Sequence, residues 1–253
     1  MTKSDPRLID PRDIGVGIGL LTRLPFGGDA TYAMARGAAA AWTWPIVGLM
    51  LALCAALVAW LLSGLGPALC AALALLTSMI LTGALHEDGL ADCADGFWGG
   101  YTPERRLEIM KDSHIGSYGT LALIASLGLR ALALATLAAH GHLLVALCLA
   151  ALLSRAAMVW VMYTLPHARP GGLSASVGRP SFNVLSLAWA GAKIAALLIA
   201  GWAGIAAIIA AFLAALTAQS IANAKIGGQT GDVLGATQQI AEIAVLLALV
   251  IAL

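Results

Sequence analysis

Long apolar segments alternate with short polar ones along most of this chain. Each apolar segment is about 20 residues long, the length of a helix that crosses the hydrocarbon core of a bilayer. The seven segments are residues 38–62, 67–85, 119–140, 142–163, 184–202, 204–223 and 237–253. The pattern predicts an all-α fold, a polytopic integral membrane helix bundle of about seven transmembrane helices, in which residues 1–253 form a single domain.

Residues 1–36 precede the first predicted span and contain a shorter apolar run at residues 14–24. Eleven residues are too few to cross a bilayer, so this run predicts a helix that lies on the cytoplasmic membrane surface. Arg23 and Arg36 lie in the same segment, and we expect them to contact lipid phosphate in preference to a substrate phosphate. A cleavable signal peptide is not expected, because arginines are mixed with acids and prolines here.

The composition is typical of a membrane protein, since 60% of the residues are hydrophobic and 11% are charged, whereas soluble domains carry about 25% charged residues. Eleven of the fourteen lysines and arginines lie in the N-terminal segment or after the second, fourth and sixth spans. The connections at 63–66, 141 and 203 contain none. By the positive-inside rule, the N-terminus and the polar loops, 86–118 and 225–236 among them, lie in the cytoplasm, and the C-terminus lies outside. The net charge of +1 gives no indication of nucleic-acid binding.

Acidic residues are concentrated in one polar segment, because seven of the thirteen lie within residues 86–119. Asp88, Asp92 and Asp95 follow an i, i+4, i+7 spacing, so on a helix they lie within about 60° of one another. Converging carboxylates repel one another unless a divalent cation lies among them, and oxygen ligands favour magnesium or manganese. The alternatives are acids at a helix N-terminus or in a solvated loop.

A second predicted helix follows this cluster. Thr102 and Pro103 are typical of a helix start, and we expect the helix to extend to about Ser113. Arg105 and Arg106 on this helix could bind phosphate. The alternative is a solvated amphipathic helix with local salt bridges.

Other basic residues lie further along the chain. Arg169, in the Pro- and Gly-rich loop 164–183, could bind phosphate in a nucleotide lid, or the loop could be a plain connection. Arg130 and Arg155 lie inside apolar spans, where a charge is costly, so we expect them to face the bundle interior. Arg130 would pair with an acid or reach a phosphate, whereas Arg155 could extend towards the nearby cytoplasmic surface. Lys193 is expected to face the interior as well.

A glycine-rich break, residues 227–235, separates the last two predicted spans. Gly231 is expected to allow close approach to a phosphate or to adopt a positive φ. The helix that follows would direct free N–H groups at an anion. Asp232 could complete the metal site. The alternative is a turn without a functional role.

Three motifs occur in order along the chain: HEDGLADCADGFWGG at 86–100, ERRLEIMKDSHIGSYG at 104–119, and KIGGQTGDVLGA at 225–236, followed by Glu242. Together with weaker similarity from about residue 10 to the C-terminus, they resemble the cobalamin synthase family of adenosylcobinamide-GDP ribazoletransferases. The resemblance implies a metal-dependent phosphotransfer that joins adenosylcobinamide-GDP to α-ribazole or its 5′-phosphate and releases GMP. It also implies a bacterial inner-membrane protein whose active site faces the cytoplasm.

The residue pattern and this resemblance together predict the site. The expected catalytic residues are Asp88, Asp92, Asp95, Lys111, Asp112 and Asp232. The expected substrate-binding residues are Arg105, Arg106, Ser113, Arg169, Thr230 and Gly231. The expected ligands of Mg²⁺ or Mn²⁺ are Asp88, Asp92, Asp95 and Asp112. The expected partners are the two substrates and membrane lipid, with a second copy of the chain or other cobalamin-pathway enzymes as further candidates.

Two other functions fit parts of the sequence. The run Asp92-Cys93-Ala94-Asp95-Gly96 matches the start of the metal motif of CDP-alcohol phosphotransferases, but the residues after Phe97-Trp98 depart from that motif and its later acids are missing. A secondary transporter would account for charges inside spans and for glycine breaks. Transport predicts important charges at mid-membrane, however, rather than seven acids in one polar segment.

Overall fold

The computed structural model describes residues 7–26 and 28–253. In these ranges the regular secondary structure is helical, apart from one isolated bridge between His167 and Gln229. The all-α prediction is confirmed. Two short 3₁₀ helices cover Gly37–Thr43 and Ser63–Leu65. The α-helices are α1 (Asp13–Leu21), α2 (Ala30–Arg36), α3 (Trp44–Leu61), α4 (Pro67–Thr82), α5 (Leu85–Gly99), α6 (Pro103–Ile109), α7 (Ser117–Ala139), α8 (Leu143–Thr164), α9 (Leu173–Val177), α10 (Phe182–Ile226) and α11 (Gly231–Ala252).

Within the described ranges, five helical segments are long and apolar enough to cross a membrane, and α4 with α5 makes a sixth if that bent pair forms one broken span. The five are residues 30–61, α7, α8, α10 and α11. The chain is therefore a multi-pass membrane protein. The count of seven spans stays a prediction.

The long helix α10 contains both predicted spans, 184–202 and 204–223. Its backbone leaves helical geometry at Gly201, with φ 50° and ψ −116°. The rings of Trp189 and Phe212 lie 5.9 Å apart, whereas 23 residues of unbroken helix would separate them by roughly 35 Å. The chain therefore turns back at Gly201, and α10 consists of two arms that pack against each other.

The predicted span 67–85 ends earlier than expected, at Thr82. Gly83 and Ala84 adopt left-handed backbone conformations, and α5 then leaves at an angle of 87° to α4. The predicted loop 86–118 is thus largely helical, which confirms the helical spacing of its first acids. We treat α5 as lying outside the spanning segments, because it carries the acids and turns away from the apolar helix α4.

The predicted loop 225–236 is also shorter than expected. Helix α10 continues to Ile226 and α11 begins at Gly231, so only residues 227–230 are outside helices. Similarly, the loop 164–183 contains the short helix α9. The helix predicted from Pro103 begins there, with the Thr102 hydroxyl accepting the N–H of Arg105, but it ends at Ile109 rather than near residue 113.

The apolar run at residues 14–24 forms α1, but the expectation of lipid contact for Arg36 is wrong. Its guanidinium is buried and donates from Nε to Asp13 Oδ1 at 2.7 Å. Trp42 donates to the other Asp13 oxygen at 2.9 Å. The paired charges compensate for one another, so Arg36 fixes α1 to the residues that precede α3.

Helix α8 lies at the centre of the bundle, with sixteen of its 22 residues buried. It packs against α3, α10 and α11, and α11 also packs against α5. Alanine is the commonest residue on the buried side of α10, which allows close contact between helices. Because α11 packs against α5, the polar segments 86–118 and 225–236 lie next to each other.

Candidate active site

Helices α5 and α11 cross at two glycines, Gly89 and Gly235. A Cβ atom at Gly89 would lie 2.7 Å from the carbonyl oxygen of Asp232, and one at Gly235 would lie 3.3 Å from the Cα of His86. Because neither glycine carries a side chain, the two backbones approach more closely than other residues would allow. The crossing brings the first and third sequence motifs together.

This crossing assembles three of the predicted acids. Asp88 and Asp92 lie on α5, and Asp232 lies in the first turn of α11. Asp232 Oδ2 lies 3.3 Å from an Nη of Arg169 and accepts the hydroxyl of Thr230 at 3.1 Å. The Thr230 hydroxyl also accepts the N–H of Val233, so it caps α11.

The loop after α8 is fixed beside the glycine-rich turn, which explains the position of Arg169. The Gln229 N–H donates to the Pro166 carbonyl at 2.8 Å, and the Ala168 N–H donates to the Gln229 carbonyl at 3.0 Å. A Cβ at Gly228 would lie 2.5 Å from that Pro166 oxygen, so glycine is required for the close approach.

The expectation of a positive φ at Gly231 is wrong, because the left-handed conformation in this turn belongs to Gly227, with φ 69°. A Cβ at Gly231 would meet no atom within 4 Å. Gly231 instead lines a cavity of about 120 Å³ together with Asp88, Arg169 and Asp232. A larger side chain at this position would enter the cavity rather than strain the backbone.

Asp95 has a different environment from the other acids of α5. One of its carboxylate oxygens accepts the N–H of Gly116 at 2.7 Å, and the other accepts the N–H of Gly119 at 2.9 Å. A Cβ at either glycine would overlap the carboxylate. Both contacts place the negative charge at the N-terminus of α7. They favour a structural role for Asp95 over the predicted role as a metal ligand.

We expect Asp95→Asn to destabilise the protein by about 1–3 kcal/mol, because the amide nitrogen cannot accept a backbone N–H and the charge at the start of α7 is lost. Thermal unfolding in detergent measures this change. The metal concentration needed for half-maximal turnover per folded molecule should stay the same. A raised metal requirement without a loss of stability would instead assign Asp95 to the metal.

A second, larger cavity of about 550 Å³ borders an adjacent face of α5. Asp88 and Asp92 line it from α5, and Lys111, Asp112 and Ser113 line it from the segment after α6. Their side chains are exposed in that segment, as expected for residues that bind a soluble ligand. Asp88 borders both cavities and therefore lies between them.

Asp112 hydrogen-bonds to His114 at 2.7 Å through its side chain. This contact lowers the pKa of the Asp112 carboxyl and raises the pKa of the His114 imidazole. Asp112 lines the same cavity as Asp88 and Asp92, and its role as a metal ligand stays a prediction.

Of the two arginines predicted to bind phosphate on α6, Arg105 is exposed and pairs with Glu108 at 3.0 Å. Arg106 donates to two backbone carbonyls, those of Gly100 at 2.9 Å and Lys225 at 2.8 Å. Arg106 thus joins the ends of α5 and α10. Its substrate role stays a prediction, as does that of Arg105.

The carboxylates at the crossing influence one another. Burial, together with the nearby charges of Asp88, Asp232 and Asp95, raises the pKa of Asp92 to about 7. In the part of the chain that the structure describes, no three His, Cys, Asp or Glu side chains are arranged as a ready-made metal cage. The oxygens of Asp88 and Asp92 nevertheless face the same cavity.

A model of the cobalamin-5-phosphate synthase family matches residues 13–250, which include every helix of the site. The chain belongs to this family. The matched range contains all three sequence motifs that meet at the site.

Curated members of this family cover nearly the whole chain. An adenosylcobinamide-GDP ribazoletransferase of Bradyrhizobium diazoefficiens is 45% identical over 238 residues, 93% of this chain and 92% of that protein. Proteins of the same name are 43% identical in Sinorhizobium medicae, over 95% of this chain and 97% of that protein, and 44% identical in Azorhizobium caulinodans, over 94% and 95%. No solved structure matches the chain.

Beneath the site lies a buried polar network that the sequence indicated only in part. Arg130 pairs with Glu87 at 3.0 Å and with Glu242 at 3.4 Å. Arg155 pairs with Glu242 at 3.4 Å. The pairing of Arg130 with acids confirms one of its two predicted roles. The prediction that Arg155 extends to the cytoplasmic surface is wrong, because Arg155 is buried and pairs with Glu242 in the interior.

Two glutamines complete this network. Gln239 donates to Glu87 at 3.0 Å and accepts the Ser126 hydroxyl at 2.9 Å, and Gln238 donates to Glu242. The sequence signal was present, since two amides and an acid occur within five residues of α11. Lys193, which was expected in the interior, is exposed and lies 5.3 Å from the ring of Trp189.

Proposed function

We propose that this protein joins adenosylcobinamide-GDP to α-ribazole or α-ribazole 5′-phosphate and releases GMP. A ribose hydroxyl attacks the cobinamide-linked phosphorus, a new P–O bond forms, and the P–O–P bridge to GMP breaks. The observation that carries this proposal is the position of Asp88 between two cavities, beside Asp92 and the Arg169–Asp232 pair. Two substrates can thus reach one group of charged residues from two separate cavities.

We propose further that Asp88 and Asp92 hold Mg²⁺, with Mn²⁺ as an alternative. Magnesium in phosphotransfer sites is commonly held by one or two carboxylates together with water and substrate phosphate oxygens, so a complete protein cage is not required. Burial and the nearby charges of Asp88 and Asp232 raise the pKa of Asp92, and a cation at this position would neutralise those charges. The bound metal would supply stabilisation of the charge that develops on the diphosphate.

The remaining groups position and neutralise the reactants. Arg169 in the smaller cavity and Lys111 in the larger one supply positive charge where the phosphate of the acceptor and the diphosphate of the donor, respectively, would lie. Asp232 uses one oxygen for Arg169 and Thr230. Its carboxylate is therefore oriented, and we propose that it accepts the proton of the attacking hydroxyl.

Purified protein incubated with adenosylcobinamide-GDP, α-ribazole 5′-phosphate and magnesium should yield GMP and a cobalamin 5′-phosphate, detected by mass spectrometry. Omission of either substrate is the control for simple hydrolysis. No release of GMP, with both substrates shown to bind, would contradict the proposed function.

We also propose that the protein lies in the bacterial inner membrane, that its site faces the cytoplasm, and that the N-terminus lies inside and the C-terminus outside. The clustering of lysine and arginine on one side of the predicted spans supports this orientation. Association with a second copy or with other enzymes of the pathway stays a prediction.

Tyr101 provides a test of the orientation, because 95% of its surface is exposed between α5 and α6. In a variant without its four native cysteines, Tyr101→Cys should not react with an impermeant maleimide in intact spheroplasts, and it should react after the membrane is opened. Leu65→Cys, in the opposite connection, is the matched control and should react in both conditions. Labelling of Tyr101→Cys from outside would reverse the proposed orientation.

A further inference from the structure

The cavity of about 120 Å³ beside the site has a lining that is mostly apolar. The apolar residues come from four helices, α1, α3, α8 and α9, and from the ends of α5 and α11. They are Leu20, Leu21, Trp44, Leu85, Met158, Met162, Leu173, Val177 and Leu234. Asp88, Arg169 and Asp232 also line this cavity, so it adjoins the charged residues directly. The larger cavity on the adjacent face of α5 is bordered by the exposed polar segment after α6.

An unpaired buried nitrogen of Arg169 indicates that this apolar cavity holds a ligand with polar groups. Within the residues that the structure describes, Arg169 Nη1 and His86 Nε2 are buried and have no hydrogen-bond partner. Both side chains line the cavity, but His86 also lines the buried space among Glu87, Arg130 and Arg155, so only the Arg169 nitrogen is assigned to this cavity. Buried nitrogen atoms of this kind are costly when unpaired, because they have lost their hydrogen bonds to water.

The size and polarity of the cavity restrict which part of a substrate can enter it. An enclosed apolar cavity of about 150 Å³ binds benzene. The cavity beside the site is of similar size but is open at its mouth, so a flat two-ring base can enter it in part, whereas a corrin cannot. Guanine and adenine are small enough, but their many polar edge groups would lose hydrogen bonds to water against a mostly apolar lining. The dimethylbenzimidazole of ribazole is planar, small and largely apolar.

We infer that this cavity is the binding site for the base of ribazole. This inference rests on the proposed function. The base packs against Trp44, Met158 and Met162, and the ribose lies towards Asp232. Arg169 Nη1 supplies a donor for a ribose oxygen or for the 5′-phosphate. The larger cavity of about 550 Å³ is then left for the diphosphate and nucleotide of adenosylcobinamide-GDP. Asp88 lies between the two substrates.

Two substitutions at the border of the cavity test this inference without changing a charged residue. Leu20 on α1 and Val177 on α9 are half-buried, so a larger side chain can be accommodated there while it narrows the cavity. In Leu20→Trp and Val177→Trp, the Kd for α-ribazole should rise by about tenfold or more. Equilibrium dialysis with purified protein in nanodiscs measures this Kd without requiring turnover.

Three controls distinguish a narrowed cavity from a general loss of structure. The Kd for GMP should change by less than twofold in both variants. Ile14→Trp, on the same helix as Leu20 and also half-buried, does not alter the lining and should bind α-ribazole normally. A benzimidazole riboside that lacks the two methyl groups should lose less affinity in the narrowed variants than α-ribazole does. Unfolding of the protein would weaken the binding of both ligands equally.

Three other outcomes of the binding experiment overturn the inference. Weaker GMP binding with unchanged α-ribazole binding would assign the cavity to guanine, and unchanged binding of both would show that neither base enters it. Failure of the wild-type protein to bind α-ribazole would exclude the site altogether. If α-ribazole binding behaves as expected but both substrates and magnesium give no GMP, the proposed reaction fails while the binding site stands.

Discussion

Asp92→Asn should lower turnover by at least about a hundredfold, the scale of losing one strong electrostatic stabiliser of a transition state, and should raise the magnesium concentration needed for half-maximal rate. Asp92 is half-buried, and its pKa is raised to about 7 by burial and neighbouring carboxylates. The substitution removes a negative charge from the place where a cation would bind. Steady-state release of GMP, measured over a range of magnesium concentrations, gives both quantities.

Asp88→Asn should behave in the same way, because Asp88 faces the same cavity. Glu104→Gln is the control, since Glu104 is an exposed acid on α6, and its turnover should stay within about tenfold of the wild type. If all three variants depended on magnesium in the same way, the acids of α5 would be solvated surface residues rather than metal ligands.

Arg130→Met should lower the free energy of unfolding by about 3–5 kcal/mol, because it leaves Glu87 buried without its charged partner. Arg130 lies on α7 and its two acidic partners lie on α5 and α11, so this side chain joins three helices beneath the site. Denaturant unfolding in detergent micelles, followed by circular dichroism, measures the change.

A matched control and a double variant make this prediction specific. Lys193→Met removes a basic residue from an exposed position, so we expect a change within about 0.5 kcal/mol. Glu87→Gln combined with Arg130→Met should cost less than the sum of the single changes, by about 0.5–3 kcal/mol, because the two side chains are in contact. Additive losses would mean that the Arg130–Glu87 contact contributes nothing.

Several features of the molecule follow from local sequence alone. The apolar segments predicted an all-α membrane protein, and the i, i+4, i+7 spacing of Asp88, Asp92 and Asp95 predicted the helix that became α5. Thr102 and Pro103 marked the start of α6. These features depend on periodicity and on capping, which involve residues a few positions apart. The three motifs likewise predicted the family from the sequence.

The start of α11 was predicted less accurately, because the glycine-rich residues 227–235 were interpreted as a break between spans. Gly89 and Gly235 lie inside helices, where the lack of a side chain allows α5 and α11 to cross. Gly201 lies within α10, which the apolar pattern predicted as two separate spans. Here the glycine does reverse the direction of the chain. The same residue type thus serves close packing in one place and a turn in another, and only its neighbours in space decide which.

The partners of the charged residues were decided by the tertiary structure. Spacing places Asp95 on the same face as Asp92, but the packing of α7 supplies the two N–H groups that bind it. In the same way, Arg36 meets Asp13 and Arg155 meets Glu242 only after distant helices have packed. The sequence by itself determined the helices, their polar faces and the chemistry of the motifs. Only the tertiary structure decided which faces meet, because the contacts that satisfy a buried charge come from residues far apart in the chain.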